Sequence, residues 1–109
     1  MSGGSVLIAP EWLGHSGLWQ FDAKGRRRAV DAEDIGLSEA LADRIEAWMD
    51  AFDAIYDEDD EAASDFPNAV ERLAWEAEGL AIADAVAAEL GPGWEVRQDL
   101  AGWRGKGKP

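Results

Sequence analysis

Carboxylates are the residues with the clearest chemistry in this 109-residue sequence, and they are concentrated in one third of it. The range 31–65 contains 14 of the 23 Asp and Glu residues and a single base, Arg44, whereas the other 9 acids are balanced by 9 Lys and Arg residues. Solubility requires charged residues on the surface, but it does not require one sign collected on one segment. We therefore interpret the acidic range as a binding surface.

A row of carboxylates is predicted along a helix within this range. Ser38 is a suitable N-cap, and apolar residues from Leu41 to Tyr56 recur at helical spacing. On a wheel of about 100° per residue, six acids lie opposite this apolar stripe, in a row about 27 Å long. We expect the helix to end between Tyr56 and Asp60, because negative charge is unfavourable at a helix C-terminus. The predicted partner-binding residues are Glu39, Asp43, Glu46, Asp50, Asp53 and Asp57 of the row and Glu58, Asp59, Asp60 and Glu61 of the exposed run that follows.

The sequence has few residues suited to nucleophilic catalysis or to metal binding. The sequence has no Cys and one His, His15, which excludes thiolate sites and sites with two imidazoles. His15 and Ser16 resemble half of a nucleophilic dyad, but neighbours in sequence point apart. The run that begins at Asp57 lacks the Gly and the Glu of a calcium loop, because Ala62 and Asn68 occupy those positions. We predict no catalytic residue, no metal site, no cofactor and no enzymatic activity.

Carboxylate-only metal chemistry is the enzymatic alternative. Small helical nucleotide hydrolases hold magnesium with acidic pairs on adjacent helices. Asp50 with Asp53, and Glu71 with Glu78, imitate that arrangement. Such a site faces the interior of a helical bundle, whereas the wheel places Asp50 and Asp53 away from the apolar stripe.

The remaining elements place the acidic helix in a small α+β fold. Strands are predicted at 6–9, 18–21, 28–30 and 94–96. A second helix is expected to begin at Ser64 or Asp65 and to end at Leu90, before Gly91. These elements predict a small antiparallel sheet, made of N-terminal hairpin strands and a C-terminal strand, packed against two antiparallel helices.

Two apolar stripes on the second helix predict that it packs between two surfaces, the sheet on one side and the first helix or a second subunit on the other. One stripe is Phe66, Val70, Leu73, Ala77 and Leu80, and the other is Trp75, Gly79, Ile82, Val86 and Leu90.

The six tryptophans divide into a predicted core set and a set near loops and edges. Trp48, Trp75 and Trp94 are predicted in the core, and Trp12, Trp19 and Trp103 near loops and edges, where exposed tryptophan is typical of interfaces.

Length and composition predict one domain over 1–109, with an ordered core at about 5–100 and flexible ends at 1–4 and 104–109. The apolar run 6–9 is far shorter than the roughly 20 residues that span a bilayer, and the lack of Cys suits a reducing compartment. We expect a cytoplasmic protein with no membrane partner. A net charge of −13 repels phosphate, and the basic triplet 26–28 is a small footprint, so nucleic acid is also excluded as a partner.

Several short sequence patterns between residues 18 and 96 lie at positions with structural roles and do not form a functional signature. They are 18–22 with Gly25, 37–38 with Leu41, Ile45, Trp48 and Phe52, 78–80, and 89–96. In these patterns the sequence resembles small acidic single-domain bacterial proteins similar to the immunity proteins of polymorphic toxin systems. The resemblance implies an α+β fold and a role in binding and neutralising a toxin, and it transfers no specific contact residue.

The leading functional hypothesis is an acidic protein-binding inhibitor of the immunity or antitoxin type. Its helical carboxylate face would block a basic surface on a protein partner such as a toxin, as phosphates would occupy a cationic cleft. Two alternatives remain open. One is a non-enzymatic structural or assembly protein that forms a homodimer, and the other is the magnesium-dependent nucleotide hydrolase.

Overall fold

A four-stranded sheet carries two helices in the computed structural model, which describes residues 4–12, 15–60 and 63–105. The elements are β1 (Ser5–Ile8), β2 (Leu18–Phe21), β3 (Arg27–Ala29), α1 (Glu39–Asp53), α2 (Ala69–Leu90) and β4 (Glu95–Gln98), with 3₁₀ turns at Ala32–Ile35 and Gly102–Gly105. The predicted α+β class is confirmed. The predicted flexible ends fall mostly outside the described residues.

The sheet has the strand order β3-β2-β1-β4. Its hairpin strands are antiparallel, as predicted, with Trp19 paired to Ala29 and Leu7 paired to Trp19. The C-terminal strand differs from the prediction, because β4 runs parallel to β1 with Val6 opposite Val96. The chain leaves β3 at one edge and passes through both helices before it forms the opposite edge. A connection of that length allows a parallel pairing.

Helix α1 is fixed by its apolar stripe and ends earlier than predicted. Leu41, Ile45, Trp48, Met49 and Phe52 are all buried, and the Ser38 hydroxyl caps the first turn. The helix ends at Asp53, three residues before the predicted range begins. The chain turns there because the N–H of Tyr56 bonds to the carbonyl of Asp53, and the N–H of Asp57 donates to the buried hydroxyl of Ser64 at 2.7 Å.

Helix α2 begins at Ala69, and its cap is Asn68, whose side chain accepts a hydrogen bond from the N–H of Glu71. The predicted cap at Ser64 or Asp65 is therefore wrong, and Ser64 serves the preceding loop instead. The C-terminal end at Leu90 is confirmed, with Gly91 at a φ of 89°.

Only one of the two predicted apolar stripes on α2 is covered. Trp75, Gly79, Ile82 and Val86 are buried, as predicted. Most of the other stripe lies open, with Val70 78%, Leu73 55% and Leu80 48% exposed, whereas Phe66 at its start is half-buried against Trp75. Helix α2 therefore contacts both the first helix and the sheet strand β4, as predicted, but it does so through the buried stripe, and within the described part of the chain most of the second stripe stays uncovered.

The tryptophans near loops and edges are all buried, contrary to the expectation that some would be exposed. Trp12 stacks on Phe52 with ring centroids 4.0 Å apart, and Trp103 meets Trp12 edge-on at 5.6 Å. Trp19 is held by an indole hydrogen bond to the carbonyl of Ala9. Trp94, predicted in the core, is only half-buried. The loop tryptophans thus extend the core instead of forming an interface.

Candidate functional site

An acidic groove of about 570 Å³ lies beside α1. The buried side chains Leu18, Leu37, Ile45 and Met49 form its floor. Carboxylates from two elements line its walls. These are Asp31 and Glu33 at the 3₁₀ turn and Glu39, Glu46, Asp50 and Asp53 on α1. We call this feature the acidic groove.

The structure divides the ten predicted partner-binding residues into two sets. Glu39, Glu46, Asp50 and Asp53 line the acidic groove, and all but the half-buried Asp53 are exposed. Asp43 is exposed on α1 but does not line the groove. The residues beyond the helix are also outside it. Asp57, Glu58, Asp59 and Asp60 are exposed in the loop after α1, and Glu61 lies outside the described residues.

Asp57 does not continue the row on the helix, contrary to the prediction. Its carboxylate accepts a hydrogen bond from the N–H of Asp59 at 2.9 Å, and its own N–H donates to Ser64. The ordered row on α1 therefore contains five acids and ends at Asp53. Its length is about 21 Å at 1.5 Å per residue, in place of the predicted 27 Å.

Asp31 and Glu33 are the groove residues that sequence reasoning missed. They belong to the acidic range, but a helical wheel of α1 does not include them, because they precede the helix. The turn that positions them is short, and the N–H of Asp31 donates to the carboxylate of Asp34 at 3.0 Å. The one sequence signal for this turn is Gly36, which takes a φ of 82° and caps its C-terminal end.

His15 and Ser16 line the same groove but do not act as a pair. The Ser16 hydroxyl donates to the backbone carbonyl of Val30. The His15 ring lies against Trp19, with centroids 5.3 Å apart. Ser16 thus links the loop before β2 to the segment after β3, which is a structural role.

The only base in the acidic range, Arg44, is directed away from the row. Its guanidinium donates two hydrogen bonds to the carboxylate of Glu78 on α2, at 2.7 and 2.8 Å. These hydrogen bonds lower the pKa of Glu78 and raise the pKa of Arg44. The described residues that line the acidic groove include no Lys and no Arg.

The structure does not bring together the two acidic pairs of the hydrolase alternative. Asp50 and Asp53 line the acidic groove, whereas Glu71 and Glu78 line a different groove between α1 and α2. Across the described residues, no group of three or more His, Asp and Glu side chains is arranged to hold a metal ion.

Comparison with known proteins identifies the family. A family model described as Serratia CdiI immunity protein-like matches residues 6–98. The chain belongs to this family. This match confirms the immunity protein-like resemblance expected from the sequence, and it supports a role as a toxin inhibitor. The matched range also contains every residue of the acidic groove and both helices. A search of curated proteins gave no match. Neither helix of the described immunity protein-like chain is long and apolar enough to cross a membrane.

Proposed function

We propose that this chain is an immunity-type inhibitor that docks its acidic groove on a basic surface of a toxin. The observation that carries the proposal is the convergence of six carboxylates from two elements on one groove with an apolar floor. A toxin that acts on nucleic acid or on nucleotide phosphates has a cationic cleft, and carboxylates can occupy that cleft as phosphates would. The aliphatic part of a lysine or arginine side chain would lie on the floor.

The carboxylates differ in their expected contribution. Those on α1 are preorganised, because the helix is held by its buried stripe and by the Arg44–Glu78 pair, so little entropy is lost on docking. Asp43, the loop residues 57–60 and the charge of Glu61 add long-range attraction, which raises the association rate without fixing the geometry. In this role the chain acts in the cytoplasm, needs no cofactor and performs no catalysis.

The kinetics of association test the proposal. The toxin is first captured from the host at low salt, identified and purified. Its association rate constant is then measured by stopped flow at about 0.05 and 0.5 M salt, where screening differs strongly. We expect a large decrease at high salt, and a decrease of about tenfold at low salt for the double variant Glu46→Gln, Asp50→Asn.

The matched control removes the same charge outside the groove. Asp59→Asn with Asp60→Asn should lower the association rate less than about twofold, because these acids contribute only at long range. Equal effects of the two double variants would mean that net charge, and not the acidic groove, determines binding. A rate that is unchanged by salt would contradict the proposal as a whole.

Self-association is a second candidate function, favoured by the open stripe of α2. Val70, Leu73 and Leu80 are large apolar side chains exposed on one face. Contiguous exposed apolar surface marks interaction sites in soluble proteins. Sedimentation across a concentration series tests this candidate. A dimer of wild type that Leu73→Lys converts to a monomer would support an assembly role, and a monomer at all concentrations would exclude it.

A further inference from the structure

Helix α1 exposes two strips that lie side by side. The first is the row of acids that borders the acidic groove. The second consists of small side chains, and at about 100° per residue it lies directly next to the acids on the helical wheel. Its members are Ala40, Ala47, Ala51 and the C-cap Ala54, and all four are exposed.

Ala47, Ala51 and Ala54 of this strip form one wall of a second groove, which we call the apolar groove. It has a volume of about 610 Å³ and lies between α1 and α2. The indoles of Trp48 and Trp75 lie at its base, and both are buried. Ala74 and the segment at Phe66 and Pro67 line the opposite side. Because the alanines are short, the space between the two helices is not filled up to the surface.

Carboxylates surround the apolar groove. The charged residues among its described lining are Glu71 and Glu78, and Glu78 is bonded to Arg44. The acid row of α1 borders it on the other side, and the exposed acids from Asp57 to Asp60 begin two residues after Ile55, a lining residue. An apolar occupant with cationic flanks complements this arrangement, whereas an acidic occupant would be repelled.

We propose that the apolar groove binds the apolar face of a basic amphipathic helix of the toxin, next to the acidic groove. The proposal rests on the proposed function, because one partner would cover both sides of α1. Interfaces combine an apolar centre with a charged periphery, and the buried apolar anchors provide most of the affinity. The two grooves therefore have different roles. The acidic groove accelerates association, and the apolar groove slows dissociation.

Two peptides and the isotopically labelled full chain test the proposal by NMR. The first peptide is a helix of about 14 residues, close to the length of α1, with leucines on one face and lysines on the other. The second is an oligolysine of equal charge. We expect both to shift the amides of Glu46 and Asp50. Only the leucine-lysine peptide should shift those of Ala51 and Ala74, and it should bind about tenfold more tightly.

Matched variants keep the test independent of folding. Ala51→Gln with Ala74→Gln places polar side chains in the apolar groove and should remove the tenfold advantage of the leucine-lysine peptide. Ala40→Gln with Ala87→Gln changes exposed helical alanines outside the groove lining and should retain it. Wild-type affinity of the groove variant, or a leucine-lysine peptide that shifts only Glu46 and Asp50, would overturn the proposal. Failure of the proposed function gives a different result from failure of this inference, because oligolysine would then shift the amide signals of neither Glu46 nor Asp50.

Discussion

Trp48 of α1 and Trp75 of α2 each donate the indole N–H to the other's backbone carbonyl oxygen, at 3.0 Å in both directions. Their rings are stacked with an interplanar angle of 6° and centroids 4.5 Å apart. Both residues are buried, so an unpaired indole N–H would carry the full cost of desolvation. The pair therefore fixes the spacing and register of the two helices, and with them the base of the apolar groove.

Replacing either indole tests this relationship. Trp48→Phe removes one donor and leaves space beside Trp75, and we expect a loss of about 2–3 kcal/mol in the free energy of unfolding. The double variant with Trp75→Phe should lose less than the sum of the two single losses, because both changes disrupt one unit. Urea unfolding measures all three, and Trp94→Phe at a half-buried site is the control. Additive losses would show that the two tryptophans act independently.

Gly79 lies where α2 approaches this pair and the C-terminal segment. A Cβ at this position would be 2.8 Å from Cζ2 of Trp48 and 3.0 Å from both δ carbons of Leu100. Alanine improves helix propensity by about 1 kcal/mol, but overpacking costs about 1–3 kcal/mol. We expect Gly79→Ala to lower the free energy of unfolding by about 1 kcal/mol. Ala77→Gly on the exposed face calibrates propensity alone, and a Gly79→Ala variant more stable than wild type would contradict the packing argument.

The elements could be predicted from sequence where local patterns determine them, and less well where distant residues do. The stripe from Leu41 to Phe52 specifies α1, and Gly91 specifies the end of α2. The early end of α1 depends on Ser64, which is seven residues from its partner Asp57 and gives no periodic signal. The parallel pairing of β4 likewise depends on the path of the whole chain.

The candidate site shows the same division. The helical wheel places Glu46 and Asp50 on one face of α1, and both line the acidic groove. It cannot show that the face borders a concavity, because the opposite wall comes from the turn with Asp31 and Glu33. The helical wheel also cannot predict the direction of the Arg44 side chain, because its partner Glu78 lies on another helix.

Glu89 makes the stability of the fold depend on pH. Its carboxylate accepts hydrogen bonds from the hydroxyl and the N–H of Ser38, both at 2.7 Å, and these bonds hold the pKa of Glu89 below its ordinary value of 4.5. A carboxylate with a lowered pKa in the folded state stabilises the fold above its ordinary pKa. That contribution is lost as the pH falls through the lower folded value.

Urea unfolding of Glu89→Gln and wild type at several pH values measures this contribution. We expect the variant to be less stable at neutral pH, and the difference to shrink progressively below a pH of about 4.5. Ser38→Thr retains the hydroxyl and should retain the pH dependence of wild type. A difference that stays constant from neutral to acidic pH would show that the hydrogen bonds do not favour the ionised carboxylate.

The opposite wall of the acidic groove supplies the last prediction. Asp31→Asn with Glu33→Gln removes two charges from the 3₁₀ turn, as Glu46→Gln with Asp50→Asn removes two from α1. Because both pairs face the same groove, each should lower the association rate with the toxin by about tenfold at low salt. Each should change the free energy of unfolding by less than about 0.5 kcal/mol, since the substitutions are at the surface. If only the α1 pair lowers the association rate, the toxin docks on the exposed face of the helix and not in the groove.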